Sequence, residues 1–145
     1  SKFGRLMDPF ADKILVLGAL IFLAGPGFVI PAAASAEHAG ELITGVEPWM
    51  VLVILARELL VTGIRGELEG LGIEFAARTP GKLKMILQSI VVPVVLLLVW
   101  IDPLTHAWAA WTRDILVWAT VIVTIISGVP YVTAARAAIK RSSGS

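Results

Sequence analysis

Three long stretches without a charged residue limit what this chain can fold into. They cover residues 14–36, 85–101 and 115–135. A helix of about 20 mostly apolar residues is long enough to cross the hydrocarbon core of a bilayer. The chain is 57% hydrophobic and 16% charged, whereas soluble domains are about 45–50% apolar and about 25% charged. The sequence therefore predicts an all-α fold, a polytopic transmembrane helical bundle.

Glycine and proline signals divide the chain into four predicted membrane helices. The first ends at Gly25, and the second begins near Pro48, a residue type favoured in a first helical turn. Pro93 is an expected kink in the third helix, and Gly128 and Pro130 are an expected bend in the fourth. The predicted helices cover about residues 4–24, 48–70, 82–101 and 112–139.

The basic residues are concentrated on one predicted side of the membrane. Because four helices alternate in direction, the N-terminal segment, the loop near residues 66–84 and the C-terminal segment share a side. That side carries Lys2, Arg5, Lys13, Arg65, Arg78, Lys82, Lys84, Arg136, Lys140 and Arg141. Arg113 is the one basic residue assigned to the other side, which holds most of the tryptophans. Since loops rich in lysine and arginine face the cytoplasm, we expect the basic side to be cytoplasmic.

An acidic stripe precedes the first apolar stretch. Gly4, Asp8 and Asp12 are spaced four apart, which places them along one face of a helix. Two carboxylates one turn apart can share hard divalent cations, which prefer oxygen ligands. A glycine one turn earlier leaves room for a ligand to approach the backbone. The chain has no cysteine, which excludes disulfides and thiolate metal sites.

A structural interpretation of the same residues remains open. Asp8 precedes Pro9, so it can be an N-cap followed by proline at the first helical position. Asp12 can then favour the positive end of the helix dipole, or pair with Lys13 or Arg5.

Ionisable residues also occur within the second predicted helix. Arg57 and Glu58 are adjacent there, and Glu58, Thr62 and Arg65 fall on one face. Such residues in membrane segments usually face the bundle interior and carry function, and an arginine can hold a phosphate with two hydrogen bonds. The alternative is a purely structural pair between Arg57 and Glu58.

Two lysines open the third predicted helix. Lys82 and Lys84 lie in its expected first turn, where their charge opposes the helix dipole unless an anion is bound. The alternative is that they extend to the membrane surface and attract anionic lipids. Carboxylates for a metal and cations for phosphate at one end of an apolar bundle suit phosphoryl chemistry between a lipid-anchored and a soluble substrate.

The acidic stretch resembles a known signature. FGRLMDPFADK is similar to the second half of the CDP-alcohol phosphatidyltransferase motif, in which aspartates follow a glycine at four-residue intervals. SKFGRLMDPFADKILV, ARELLVTGIRGELEGLG and GKLKMILQ, in this order, resemble the phosphatidylglycerophosphate synthase branch of that family.

The resemblance implies an activity and a site. The branch transfers the phosphatidyl group of CDP-diacylglycerol to sn-glycerol 3-phosphate, releases CMP and needs Mg²⁺ or Mn²⁺. By position, Gly4 would allow close approach of the nucleotide, Asp8 would bind metal, and Asp12 would bind metal and act as general base. Arg57, Arg65, Lys82 and Lys84 are the candidates for binding the acceptor phosphate.

The resemblance also implies a multi-pass bacterial inner-membrane protein with a six-helix fold, an active face toward the cytoplasm, a homodimeric state and no nucleic-acid partner. A sister transferase, such as a cardiolipin or phosphatidylinositol phosphate synthase, and a non-catalytic membrane module remain alternatives.

One part of the family signature is missing from the chain. The motif begins with an Asp-Gly-x-x-Ala-Arg half upstream of the glycine, and no Asp-Gly pair occurs in this sequence. We therefore expect residues 1–141 to be the C-terminal portion of the family domain, inactive alone, and residues 142–145 to be a flexible tail.

Overall fold

In a computed structural model, the chain folds as a bundle of α-helices. The structure describes the backbone of residues 2–70, 79–101 and 104–142, and the side chains of residues 13–68, 70, 86–101 and 104–137. Within those limits the only β pairing is an isolated bridge, so the all-α prediction is confirmed. The helices are α1 (Lys2–Leu23), α2 (Pro48–Gly70), α3 (Thr79–Ile101) and α4 (Ala107–Ser142), with a short 3-10 helix at Pro26–Phe28.

The bounds of α1 bear on the interpretation of the acidic stripe. α1 begins at Lys2, so Asp8 and Pro9 lie inside the helix and not at its start. The N-cap interpretation of Asp8 is therefore wrong for this structure. The helix ends just before Gly25 and Pro26, as predicted, and the amide of Ala24 still donates to the carbonyl of Leu20 at 3.1 Å.

Two helices begin earlier than predicted. α3 starts at Thr79 instead of residue 82, because Pro80 is well suited to a first helical turn. Lys84 consequently lies in the second turn of α3. α4 starts at Ala107 instead of residue 112, because the segment AWAAW is rich in alanine, the best helix former. α4 continues as one helix through Pro130 to Ser142, three residues beyond its predicted end.

α4 makes the most extensive helix–helix contacts. It lies against α2 and α3, and α1 contacts α2 and α3 less extensively. Apolar side chains from all four helices form the core, which includes Leu20, Leu23, Met50, Ile54, Val91, Val95, Val117 and Val121. Many large apolar side chains instead point outward, among them Leu15, Phe22, Leu52, Trp100, Trp111 and Ile126.

One helix among the described residues is long and apolar enough to cross a membrane. It spans Ala107–Ala137, and an 18-residue window within it has a mean hydropathy of 2.1. Two shorter apolar helical segments, Lys13–Leu23 and Ile86–Ile101, belong to α1 and α3.

The connection between α1 and α2 folds back onto the start of α4. The buried Thr44 hydroxyl donates to the carbonyl of Leu23 at 2.8 Å. Arg113 of α4 donates from Nη1 to the carbonyl of Ile43 at 2.8 Å and from Nε to Asp114 Oδ1 at 2.7 Å. Gly45 has φ +66°, and a Cβ there would lie 2.9 Å from Arg113 Nε. Arg113 therefore fixes the α1–α2 connection against the start of α4.

We predict that Gly45→Ala destabilises the protein by about 1–3 kcal/mol, because it adds strain at positive φ to a contact that is too close. Gly40→Ala measures the effect of positive φ alone, because Gly40 has φ +87° and no atom lies within 4 Å of the added Cβ. Gly27→Ala, with neither defect, should change stability by less than about 0.5 kcal/mol. Thermal unfolding in detergent measures all three, and equal unfolding temperatures for the Gly45 and Gly27 variants would contradict the prediction.

Candidate functional site

The acidic end of α1 lies alongside the C-terminal half of α2. Lys13, the residue after Asp12, donates from Nζ to Thr62 Oγ1 at 2.9 Å. Thr62 lies about one helical turn from both Glu58 and Arg65. This contact places Lys13, which directly follows Asp12 in α1, against the α2 face that carries Glu58 and Arg65.

The residues of the predicted metal motif lie on one continuous helix. Gly4, Asp8 and Asp12 are all within α1, so their four-residue spacing places them on one face. Their side chains lie outside the part that the structure describes. Among the described side chains, no group of three or more histidine, cysteine, aspartate or glutamate residues could hold a metal ion. Two carboxylates one turn apart are a suitable partial donor set for Mg²⁺ or Mn²⁺.

Arg57 forms a buried network that joins α2 to α4. Its Nη1 donates to Glu58 Oε1 at 2.8 Å, its Nη2 donates to Ser127 Oγ at 2.8 Å, and its Nε donates to the carbonyl of Thr124 at 3.2 Å. The Arg57 and Glu58 side chains are only 12% and 9% exposed. The structural pair considered as an alternative is therefore present, and it is extended by two groups of α4.

The α4 side of this network was missed by the sequence analysis. Thr120, Thr124 and Ser127 are spaced four and three apart in an apolar helix, which puts three hydroxyl groups on one face. All three are buried. This spacing was the available signal, because small polar residues in apolar helices commonly face a neighbouring helix.

Gly128 lies next to the aliphatic part of the Arg57 side chain. A Cβ at this position would lie 3.4 Å from Arg57 Cγ and 3.9 Å from Val61 Cγ2. Both distances are ordinary van der Waals contacts, so Gly128 of α4 packs directly beside the Arg57 side chain of α2.

The other candidate phosphate-binding residues lie in different environments. Arg65 is exposed on α2. Lys82 and Lys84 lie in α3, with side chains outside the described part. Gln88, one turn after Lys84, is 6% exposed, and its Nε2 has no hydrogen-bond partner among the described residues. An unmatched buried donor is costly, so Gln88 marks a place where an acceptor is needed.

The fold is an apolar helical bundle with ionisable residues on adjoining helices, and such residues in apolar helices usually carry function. Comparison with known sequences gives the particular family. The chain belongs to the CDP-alcohol phosphatidyltransferase family, whose profile matches residues 1–139. The resemblance that the motifs indicated is confirmed.

Individual relatives are similar along most of the chain. A CDP-diacylglycerol–glycerol-3-phosphate 3-phosphatidyltransferase of Bacillus subtilis (strain 168) is 35% identical over 144 residues, covering 99% of this chain and 64% of the relative. A protein of the same name from Rickettsia bellii is 28% identical, covering 94% and 65%. A probable phosphatidylglycerophosphate synthase of Mycobacterium tuberculosis is 33% identical, covering 93% and 53%. The chain thus spans less than two thirds of each relative, and no solved structure matches it.

Proposed function

We propose that the protein takes part in phosphatidyl transfer from CDP-diacylglycerol to sn-glycerol 3-phosphate, giving phosphatidylglycerophosphate and CMP. The main support is the 35% identity, over 99% of the chain, to a relative named for this reaction. The contact between Lys13 and Thr62 adds structural support, because it joins the acidic helix to the helix that carries Arg65.

Within this proposal, residues of α1 bind the metal ion and the nucleotide and accept a proton from the attacking hydroxyl. Asp8 and Asp12 would hold a divalent cation, which polarises the phosphoryl group and neutralises the leaving phosphate when it is bound. Asp12 would also accept the proton of the attacking hydroxyl, a role suited to a carboxylate at this position. Gly4 would let the nucleotide approach the helix backbone closely.

The four candidate cations divide by their surroundings. Arg65 is exposed and is proposed, with Lys82 and Lys84, to bind the acceptor phosphate. Arg57 has three of its N–H groups committed to Glu58, Ser127 and the Thr124 carbonyl. We therefore propose that Arg57 contributes mainly by holding these groups, with only its remaining N–H groups available to an anion.

We further propose that the chain crosses the bacterial inner membrane several times, as part of a six-helix, homodimeric family fold with the active face toward the cytoplasm. The outward-facing apolar side chains of all four helices and the apolar span Ala107–Ala137 support this placement.

Asp8→Asn and Asp12→Asn are each expected to lower the rate of phosphatidyl transfer by at least about 100-fold. Each replaces a negatively charged, metal-binding carboxylate with a neutral amide, and Asp12→Asn also removes the proposed general base. Membranes with the protein produced from its own gene are assayed for metal-dependent CMP release with CDP-diacylglycerol and labelled glycerol 3-phosphate.

Asp114→Asn is the matched control for this assay. Asp114 pairs with Arg113 near the start of α4 and is not one of the proposed site residues. Full activity in both α1 variants would refute the assigned roles. Transfer to phosphatidylglycerol or inositol phosphate, but not to glycerol 3-phosphate, would assign the protein to a sister branch. Membrane insertion without any transfer would favour the non-catalytic module.

Arg65→Gln is expected to raise KM for glycerol 3-phosphate about tenfold or more, the effect of losing one hydrogen bond to a charged group. The KM for CDP-diacylglycerol should stay the same. Arg136→Gln removes another exposed arginine, on α4, and should change neither constant. Steady-state kinetics in mixed micelles measure both, and an equal response of the two variants would argue against a specific role for Arg65.

The proposed orientation can be tested because the chain has no native cysteine. Ala36→Cys lies in the connection between α1 and α2, and Glu67→Cys lies near the other end of α2; both positions are exposed. In spheroplasts, a membrane-impermeant maleimide should label only the residue-36 variant, and permeabilisation should allow labelling of both. Labelling of only the residue-67 variant would reverse the topology.

A further inference from the structure

Ser127 is placed so that its single hydroxyl serves two partners. It donates to the carbonyl of Thr124 at 2.8 Å and accepts a hydrogen bond from Arg57 Nη2 at 2.8 Å. Donation to the helix backbone fixes the direction of its lone pairs, so the hydroxyl presents an acceptor to the guanidinium in one orientation. Arg57 in turn holds Glu58 with its other terminal nitrogen.

This network determines which way α2 faces. Successive residues of a helix are about 100° apart, so Arg57 and Thr62 point in directions about 140° apart. Arg57 contacts α4 and Thr62 contacts α1. Glu58, Thr62 and Arg65 fall within about 60° of one another, so fixing Arg57 against α4 keeps this face turned toward α1.

Stability alone does not account for these groups. Replacing a buried ion pair with apolar residues of similar volume is often neutral or stabilising. What the network supplies, and apolar packing does not, is a defined orientation, because one side of α2 donates directional hydrogen bonds to acceptors on α4.

We propose that Ser127 is a positioning residue for acceptor binding, because it holds Arg57 and thereby orients the Glu58–Thr62–Arg65 face of α2 toward the acidic helix. The kinetic part of this inference rests on the proposed function. Ser127 does not touch the acceptor; its effect passes through Arg57 and the rotation of α2.

Ser127→Ala tests the inference, with Thr120→Val as its matched control. Thr120 is buried on the same helix, and its hydroxyl donates to the carbonyl of Leu116 in its own helix, not to Arg57. Ser127→Ala should raise KM for glycerol 3-phosphate by up to about tenfold, which is the effect of weakening the Arg65 hydrogen bond to the acceptor, because the α2 face is no longer held in place. The KM for CDP-diacylglycerol should not change. Ser127→Thr, which keeps the hydroxyl, should restore acceptor affinity.

The variant Arg57→Lys tests the same inference from the other side of the hydrogen bond. Lysine keeps the positive charge beside Glu58 but lacks the fork that reaches Glu58, Ser127 and the Thr124 carbonyl together. It should therefore raise KM for the acceptor as Ser127→Ala does. If Ser127→Ala and Thr120→Val lower the unfolding temperature equally and neither changes KM, the role of Ser127 is only structural and the inference is wrong.

A measurement independent of activity separates this inference from the proposed function. Spin labels are attached at Glu67→Cys on α2 and Thr133→Cys on α4, both exposed positions in a chain without native cysteine. The distance distribution should broaden in Ser127→Ala and stay narrow in Thr120→Val. If the unaltered protein transfers no phosphatidyl group, the proposed function fails, and this distance still decides whether Ser127 orients α2. An unchanged distribution in Ser127→Ala would overturn the inference.

Discussion

Placing the Arg57 guanidinium inside an apolar bundle is the constraint on which the arrangement of the helices depends. An isolated charge in such surroundings is costly, and the cost is offset only when the group is paired and its N–H groups find acceptors. Glu58 supplies the charge, and α4 supplies the Ser127 hydroxyl and the Thr124 carbonyl. Because these acceptors are on different helices, satisfying one side chain fixes α2 against α4.

A similar arginine network occurs near the start of α4. Arg113, like Arg57, pairs with the acidic residue that follows it and donates to a backbone carbonyl about 70 positions away in sequence, here that of Ile43. The two arginines differ in the exposure of the acids, since the Asp114 side chain is 48% exposed and the Glu58 side chain is 9% exposed. One arginine holds the α1–α2 connection on the bundle, and the other orients the helix that borders the acidic stripe.

The sequence predicted the presence of each helix more reliably than the residues at which the helices begin and end. The uncharged stretches located α1, α3 and α4, and Pro48 located the start of α2, because long apolar stretches and chain breakers are local properties. The starts of α3 and α4 were placed too late, because Thr79-Pro80 and the alanines after His106 had been assigned to loops. The N-cap interpretation of Asp8 was wrong for a related reason: α1 extends through Pro9.

The sequence by itself determined the family, through the glycine and aspartate spacing, and the candidate residues on each helix, since residues at intervals of three or four share a face whatever the helix packs against. Only the tertiary structure decided that Lys13 meets Thr62, that Arg57 is directed into α4, and that Ser127 and Thr124 complete its hydrogen bonding. These contacts join residues 49 to 70 positions apart. They depend on the rotation of each helix about its axis, which is set by packing among helices and is not encoded in the pattern of any one segment.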